Sequence, residues 1–148
     1  MAVTAHVYSK FHLSALLKTI DFTNDSIKIM LVTSTYTPNQ STEQFLTSNA
    51  QLLTNQVANG NGYTTTGAAL GTKSAASSAL VATFDAADAV WSASSIVARF
   101  AVVYDSTPGT DATRPLICYI DFGADVTSSG GNFTIQFDAA GIWTMTVA

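Results

Sequence analysis

The feature that most constrains the fold is a pair of apolar stretches joined by a run of turn-forming residues. The stretches cover residues 96–104 and 116–122, and residues 105–111 between them are rich in Asp, Ser, Thr, Pro and Gly. Both stretches are rich in β-branched and aromatic residues, which favour a packed, pleated strand. The sequence therefore predicts a long β-hairpin over residues 96–122.

The hairpin is apolar on both of its faces. Even-numbered positions of the two arms carry no charge, and odd-numbered positions carry one charge of each sign, Arg99 and Asp121. Strands that are apolar on both faces usually lie inside a sheet that is covered on both sides. We therefore expect the rest of the chain to cover this hairpin. If Phe100 lies opposite Ile120, Arg99 faces Asp121 across the ladder and forms an ion pair.

The remaining segments predict short strands and little helix. Residues 5–18 predict an amphipathic helix capped by Thr4, either packed on the domain or serving as an arm that docks on a neighbour. Residues 41–44 have the capping-box pattern of a short helix. The Asn-, Gln- and Gly-rich residues 48–62 predict a long loop, which is either functional or mobile. The other predicted strands are residues 26–33, 63–70, 79–84, 89–91, 133–137 and 143–147.

These elements predict a mainly β protein. A length of 148 residues suits one domain with a sizeable core. About eight short strands with turns between them favour a single antiparallel β-sandwich, jelly-roll-like, over residues 1–148. Residues 1–20 form its N-terminal helix or arm.

Composition describes the surface of the protein and argues against a nucleic-acid partner. Only 11% of the residues are charged, whereas Ser and Thr together number 36, so the polar surface is rich in hydroxyl groups. Such a surface suits close contact with neighbours, because hydroxyls lose less on desolvation than charges do; an ordinary Thr-rich β protein has it too. A net charge of −4 argues against a nucleic-acid partner.

Cysteine content and apolar runs bear on the location of the chain. One cysteine excludes an internal disulfide, and Cys118 is predicted to be a small core residue. No apolar run approaches the length of a membrane span. The N-terminus lacks the pattern of a signal peptide. We expect a protein that is made and used in a cytoplasm, or exported only as part of something larger.

No constellation of residues predicts catalysis or metal binding. His6 and His12 are the only histidines, and on the predicted helix they point to different faces, which does not favour a metal site or a Ser-His triad. Residues 121–123 spell Asp-Phe-Gly without the other kinase motifs. We therefore predict no catalytic, cofactor-binding or metal-binding residues, and a structural or binding role instead of an enzyme.

Three further candidates have more ordinary interpretations. They are the carboxylate pairs Asp85 with Asp88 and Asp105 with Asp111, and the tryptophans Trp91 and Trp143. The first pair lies on a short Ala-rich turn, and a solvated loop is the more common interpretation. The second pair flanks a turn without the ligand spacing of a calcium loop. The tryptophans form either a sugar-binding platform or part of the core.

Several stretches together resemble a family of small structural proteins of tailed-bacteriophage virions. The resemblance covers nearly the whole chain and includes no catalytic motif, so it implies a role and no active site. The residues that carry it are MAVTAH at 1–6, IDF at 20–22, IKIML at 27–31, STYTPN at 34–39, GY at 62–63, WSA at 91–93, ARFAVVYD at 98–105, DATRPLI at 111–117, DFG at 121–123 and GIWT at 141–144.

The resemblance implies a capsid decoration or cement protein. Such a protein binds the major capsid protein and copies of itself, as a symmetric homo-oligomer on the outer surface of the capsid, after assembly in the host cytoplasm. It needs no cofactor, nucleic acid or membrane. One alternative is a phage tail, fibre or baseplate component. Another is a carbohydrate-binding β-sandwich module, which an exposed Trp91 or Trp143 would favour. A small hydrolase is disfavoured because no base and nucleophile pair is present.

Overall fold

The computed structural model describes residues 2–147, which form ten strands and two short helices. The first half of the chain contains β1 (Thr4–Val7), α1 (Ser9–Leu16), β2 (Ile27–Val32), α2 (Ala50–Thr54), β3 (Ala68–Ala69) and β4 (Ser74–Ser78). The second half contains β5 (Val81–Asp85), β6 (Ala89–Ser94), β7 (Val97–Asp105), β8 (Leu116–Thr127), β9 (Gly131–Ile135) and β10 (Trp143–Thr146).

The strands form three antiparallel sheets. The largest has five strands in the order β1-β8-β7-β2-β3, a second has the order β10-β5-β4, and β6 pairs with β9. Each pairing of neighbouring strands is antiparallel. Buried residues of β6 and β9 belong to the same hydrophobic core as those of the five-stranded sheet. The fold is therefore mainly β and sandwich-like, as the sequence predicted.

The predicted hairpin is β7 and β8, and it lies inside the largest sheet. β7 is paired on both sides, with β8 and with β2. On one face the ring of Phe100 contacts Tyr36, with 5.6 Å between ring centroids. On the opposite face Ala101, Val103 and Cys118 are buried, and Phe137 packs against the core. The expectation of a central hairpin covered on both sides is confirmed.

The predicted register of the hairpin is wrong by one residue. Phe100 pairs with Asp121 and not with Ile120, which pairs with Ala101. The register then shifts, so that residues 122–125 of β8 lie opposite the single residue Arg99. Gly123, with φ of +78°, lies in this bulge. A slip of one residue exchanges the faces of a strand, yet the predicted ion pair is confirmed, because Arg99 Nε lies 2.7 Å from Asp121 Oδ1.

The N-terminal helix is shorter than predicted. Residues 4–7 are not helical; they form β1, which pairs with β8 from Asp121 to Cys118. This pairing satisfies backbone groups of β8 that would otherwise lie unpaired at the edge of the sheet. The helix begins at Ser9, and Tyr8 occupies the N-cap position without a side-chain hydrogen bond, so Thr4 is not its cap.

The prediction for residues 41–62 is also wrong in its helix positions. Residues 41 and 42 lie in a turn and residues 43 and 44 are irregular. The Glu43 side chain points inward and accepts a hydrogen bond from the Tyr36 hydroxyl at 2.6 Å. The helix of this region is α2, inside the predicted loop, and the Asn49 side chain caps it by accepting from the backbone N–H of Gln51 at 3.0 Å.

The strand predicted over residues 63–70 is reduced to β3. Gly67 has φ of +78°, and a Cβ atom there would lie 2.0 Å from the carbonyl oxygen of Ile29. The close approach of the two backbones allows no side chain at this position. β4, which the sequence analysis did not predict, follows and pairs with β5.

Candidate protein-docking surface

Helix α1 buries an unexpected face. Phe11 and Ser14 are buried, whereas Leu13, Leu16 and Leu17 are 47%, 82% and 65% exposed. These three leucines follow the i, i+3, i+4 spacing of one helical stripe. A surface helix normally turns such a stripe toward the core. The exposed stripe of α1 is therefore a candidate docking surface.

Phe11 determines how the helix is rotated. Its ring is fully buried, edge-on to the indole of Trp143 at 5.5 Å between centroids and 5.4 Å from the ring of Phe22. Such aromatic pairs contribute about 0.5–1.5 kcal/mol each beyond the burial of their area. The aromatic cluster holds Phe11 inward, and the leucine stripe then faces outward.

A shallow groove continues the leucine stripe. Leu17 lines it together with Phe45 and Pro108, and the groove has a volume of about 400 Å³. Its remaining lining residues, Ser14, Thr19, Gln44 and Thr113, are uncharged. We call Leu13, Leu16, Leu17, Phe45 and Pro108 the leucine patch. Phe45 and Pro108 are partly exposed. Large exposed apolar patches mark sites of interaction with proteins or membranes.

The charges on the α1 side of the patch are positive. Lys10 lies on α1 and Lys18 just beyond its C-terminal end, and both are exposed. Residues 9–20 contain no Asp or Glu, although the whole chain has a net charge of −4. A partner surface that is apolar at its centre and acidic at its rim would complement this patch.

A buried polar network holds the patch in place. The hydroxyls of Tyr8 and Tyr36 lie 2.9 Å apart, and Glu43, which is 1% exposed, accepts from the Tyr36 hydroxyl at 2.6 Å. The other Glu43 oxygen accepts from the backbone N–H of Asn39 at 2.9 Å and from the side-chain amide of Asn49 at 2.6 Å. The network joins the N-cap of α1 to the segment that carries Phe45.

The two phenols of this network stay neutral. Burial is the main cause that raises the pKa of both Tyr8 and Tyr36 above the usual range of tyrosine. A neutral phenol can donate its hydrogen, which the Glu43 carboxylate requires. The backbone is tied at the same place, because Ser9 N–H donates to the Gln40 carbonyl at 3.0 Å. The patch is therefore rigidly supported before any partner binds.

The two histidines line one groove, although His6 lies on β1 and not on the predicted helix. His6 lies on β1, where its ring stacks on Tyr119 at 4.9 Å, and the His12 ring lies 6.3 Å from Trp143. Both histidines line one shallow groove with Cys118. Cys118 is a core residue as predicted, and burial raises its pKa to about 12. Within residues 2–147, no group of three His, Cys, Asp or Glu side chains is placed to hold a metal ion.

The two carboxylates of the first candidate pair, Asp85 and Asp88, each accept a different backbone hydrogen bond. Asp85 accepts from its neighbour Ala86 N–H at 2.8 Å, and Asp88 accepts from Phe137 N–H at 2.9 Å. Each carboxylate therefore stabilises a local turn or contact.

The two carboxylates of the second candidate pair, Asp105 and Asp111, have different partners. Asp111 forms an ion pair with Arg114 at 2.6 Å, whereas Asp105 is buried and accepts from Thr107 N–H at 2.8 Å. The causes that act on the pKa of Asp105 include the carboxylate of Asp25, from the turn before β2. The side chains of this pair thus interact with different groups.

The tryptophans lie in or against the core. Trp91 is buried, with its ring 6.1 Å from Tyr63 and 6.0 Å from Phe133. Trp143 is partly buried and packs against Phe11. Neither tryptophan has the freely exposed ring that would favour a carbohydrate-binding module.

The leucine patch was not identified from the sequence, although a signal for it exists. The predicted helix has apolar residues at Tyr8, Phe11 and Ala15 and also at the three leucine positions. Two apolar stripes are more than one supporting surface can bury. Such a helix has a second face for a partner, but its sequence does not say which stripe faces the core.

Comparisons of the chain with protein-family models, with curated proteins and with solved structures found no match. Neither helix of the described residues has the length and apolar character needed to cross a membrane. The functional argument therefore rests on the geometry of the leucine patch and on the surface around it.

Proposed function

We propose that the chain is a non-enzymatic structural protein of a tailed-phage virion, a decoration protein that binds the major capsid protein and stabilises the head. The observation that carries the proposal is the leucine patch, an apolar surface on a rigid support. The family resemblance implies a binding role. The leucine patch is the surface at which such binding would take place.

The patch contributes favourable free energy to binding. Complete burial of one leucine side chain contributes about 1.5–3 kcal/mol. Leu13, Leu16 and Leu17 together therefore provide several kcal/mol, from which the costs of association are subtracted. The few charges of the chain keep desolvation costs low around the contact. Many copies on a symmetric lattice gain further strength through avidity.

The test of location is a reconstruction of the purified particle, with the chain counted per virion. Copies distributed over the head are expected. Copies confined to the tail would replace the proposal with the alternative of a tail, fibre or baseplate component. Absence from the particle would overturn the virion role altogether.

The test of the patch uses particles that lack the chain, to which purified variants are added back. We expect the double variant Leu16→Ser, Leu17→Ser to bind at least about tenfold more weakly, since tenfold corresponds to about 1.4 kcal/mol. The matched control is Leu53→Ser on α2, where the leucine is 36% exposed; its binding should stay within about twofold of wild type.

The variants must remain folded for this comparison. Substitutions of exposed residues usually change stability by less than about 0.5 kcal/mol. Urea unfolding of each variant checks this point. Equal binding by the double variant, the control and the wild type would show that the leucine patch is not the docking surface.

A further inference from the structure

Strand β4 has an open edge with which no other strand of residues 2–147 pairs. It pairs with β5 on one side and ends its sheet on the other. All five of its residues are exposed, a pattern that no other strand of residues 2–147 shows. Edge strands are normally protected by charged residues, proline or bulges. β4 consists of Ser and Ala only, and its register with β5 is continuous.

The turn after β4 determines which backbone groups face the open edge. Ser78 pairs with Val81 across a two-residue turn, in which Ala79 has φ of +51°. In such a hairpin the closing pair exchanges its hydrogen bonds, and hydrogen-bonded pairs then alternate along the strands. The N–H and C=O groups of Ala75 and Ser77 therefore point away from β5, toward solvent.

We propose that two copies of this chain associate through β4, antiparallel, about a two-fold axis at Ala76. In this register Ala75 of each copy lies opposite Ser77 of the second copy. These are the residues whose backbone groups point outward, so each such pair can exchange hydrogen bonds in both directions. The arrangement is self-complementary, as a two-fold interface requires, and it joins two three-stranded sheets into one continuous sheet.

Charge favours a second copy as the occupant of this edge. Two chains with a net charge of −4 repel each other, and an interface must avoid their acidic residues. Asp85 is the one ionisable residue in β4, β5 and β10. The ammonium of Lys73, next to β4, donates to the backbone oxygen of Asp25 within its own chain. Asp21 lines a groove with Ala75, and its carboxylate accepts hydrogen bonds from Thr23 and Asn24 of its own chain. The β4 strands themselves bring no charge into the interface.

The same register covers an exposed apolar side chain. Leu80, at the tip of the β4–β5 turn, is 61% exposed in the single chain. Antiparallel pairing about Ala76 places it beside Thr72 of the second copy. A Cβ atom added at the adjacent Gly71 would meet no other atom within 4 Å, so there is room for the leucine. The side chains of β4 are small and do not obstruct the approach.

The association is expected to be weak in dilute solution. A contact built on a five-residue strand belongs to the small interfaces, below about 1,200 Å², which are typically transient. The inference does not depend on what the leucine patch binds, because the two surfaces share no residue. If the chain decorates a particle, neighbouring copies would associate more readily at their high local concentration.

Cysteine cross-linking tests the register. At the two-fold axis Ala76 faces its own copy in a non-hydrogen-bonded pair, where Cα atoms lie about 4.5 Å apart, within the range of a disulfide. Ala76→Cys should therefore form covalent dimers under mild oxidation at least about tenfold faster than Ser78→Cys, which lies opposite Ser74. Both positions are exposed, and the native Cys118 is buried. Equal rates for the two variants would overturn the proposed register.

Charge variants test the interface without a covalent bond. Sedimentation over a range of concentrations should show a monomer–dimer equilibrium for the wild type and monomers for Ala76→Lys or Ala76→Glu alone. Mixing the two variants should restore dimers, because opposite charges then face each other. A wild type that is monomeric at every concentration, or variants that dimerise like wild type, would overturn the inference. These readouts need no particle, so failure of the capsid-binding test would not affect them.

Discussion

The bulge in β8 should depend strongly on one carboxylate, Asp121. Its Oδ1 accepts from Arg99 Nε at 2.7 Å and from the backbone N–H of Gly123 at 2.8 Å, and its Oδ2 lies 3.4 Å from another guanidinium nitrogen. Asp121 thus fixes the backbone of the bulge and neutralises Arg99 at the same time. We predict that Asp121→Ala is one of the more costly substitutions of a partly exposed residue in this chain.

The expected cost of Asp121→Ala follows from these contacts. The hydrogen bond from Gly123 to a charged acceptor contributes about 1.5–3 kcal/mol. The ion pair adds at most about 1 kcal/mol, because side chains that are 24% and 28% exposed remain screened by water. The free energy of unfolding should therefore fall by about 3 kcal/mol, and Tm by about 10 °C for a domain of this size.

Asp121→Asn is the matched control for this prediction. Its side-chain oxygen can still accept from Gly123 N–H, while the charge that Arg99 binds is lost. We expect it to lose less than half as much stability as Asp121→Ala, measured by urea unfolding with linear extrapolation. Equal losses for the two variants would show that the charge dominates. A loss below about 1 kcal/mol for Asp121→Ala would refute the argument from the bulge.

The Asp121 carboxylate should also make the stability of the fold depend on pH. The hydrogen bond from Arg99 is the main cause that lowers the pKa of Asp121 in the folded chain below its unfolded value of about 4. The folded state then binds fewer protons than the unfolded state as the pH falls. Its stabilisation is complete above the unfolded pKa and is lost as the pH falls through the folded pKa. Between pH 5 and pH 2, the Asp121→Asn variant should therefore lose less stability than the wild type. The difference should be about the stabilisation that the ionised Asp121 carboxylate contributes.

Two further substitutions test the buried turns of the fold. Burial, and then the nearby Asp25 carboxylate, raise the pKa of Asp105, so the folded chain holds a proton that the unfolded chain releases above about pH 4. Stability should fall as the pH rises through the folded pKa, and Asp105→Asn should raise stability at pH 7 and remove this fall. The control Asp111→Asn, at a partly exposed carboxylate that pairs with Arg114, should do neither. Gly67→Ala should cost about 3 kcal/mol or more by thermal unfolding, because its Cβ would lie 2.0 Å from a backbone oxygen of β2. The control Gly109→Ala, where nothing lies within 4 Å, should cost less than about 0.5 kcal/mol; a similar loss at both positions would contradict the steric argument.

The sequence by itself determined the centre of the fold. Residues 96–104 and 116–122 are apolar on both faces, and this pattern alone placed them as a paired, covered hairpin. The pairing of Arg99 with Asp121 was also predicted, although from a register that is wrong by one residue. The local sequence contains this information because the positions of its apolar side chains show which strand faces are more stable when buried away from water.

The register of the hairpin needed the tertiary structure. A count along the two arms places Phe100 opposite Ile120, but the bulge at residues 122–125 moves Asp121 into that position. A glycine in a strand indicates a possible bulge and does not fix which partner residue it displaces. That choice depends on how β1 and β7 pair with the two edges of β8.

The candidate site was decided by packing between distant parts of the chain. The sequence gives α1 two apolar stripes of similar strength, and nothing local distinguishes them. Phe11 turns inward because Phe22 and Trp143 form its pocket, and Trp143 lies on a strand more than a hundred residues further along the chain. The open edge of β4 likewise exists because the chain folds back to pair it on one side only. Contacts between residues so far apart in sequence depend on the whole fold, so no local pattern predicts which apolar surface stays exposed.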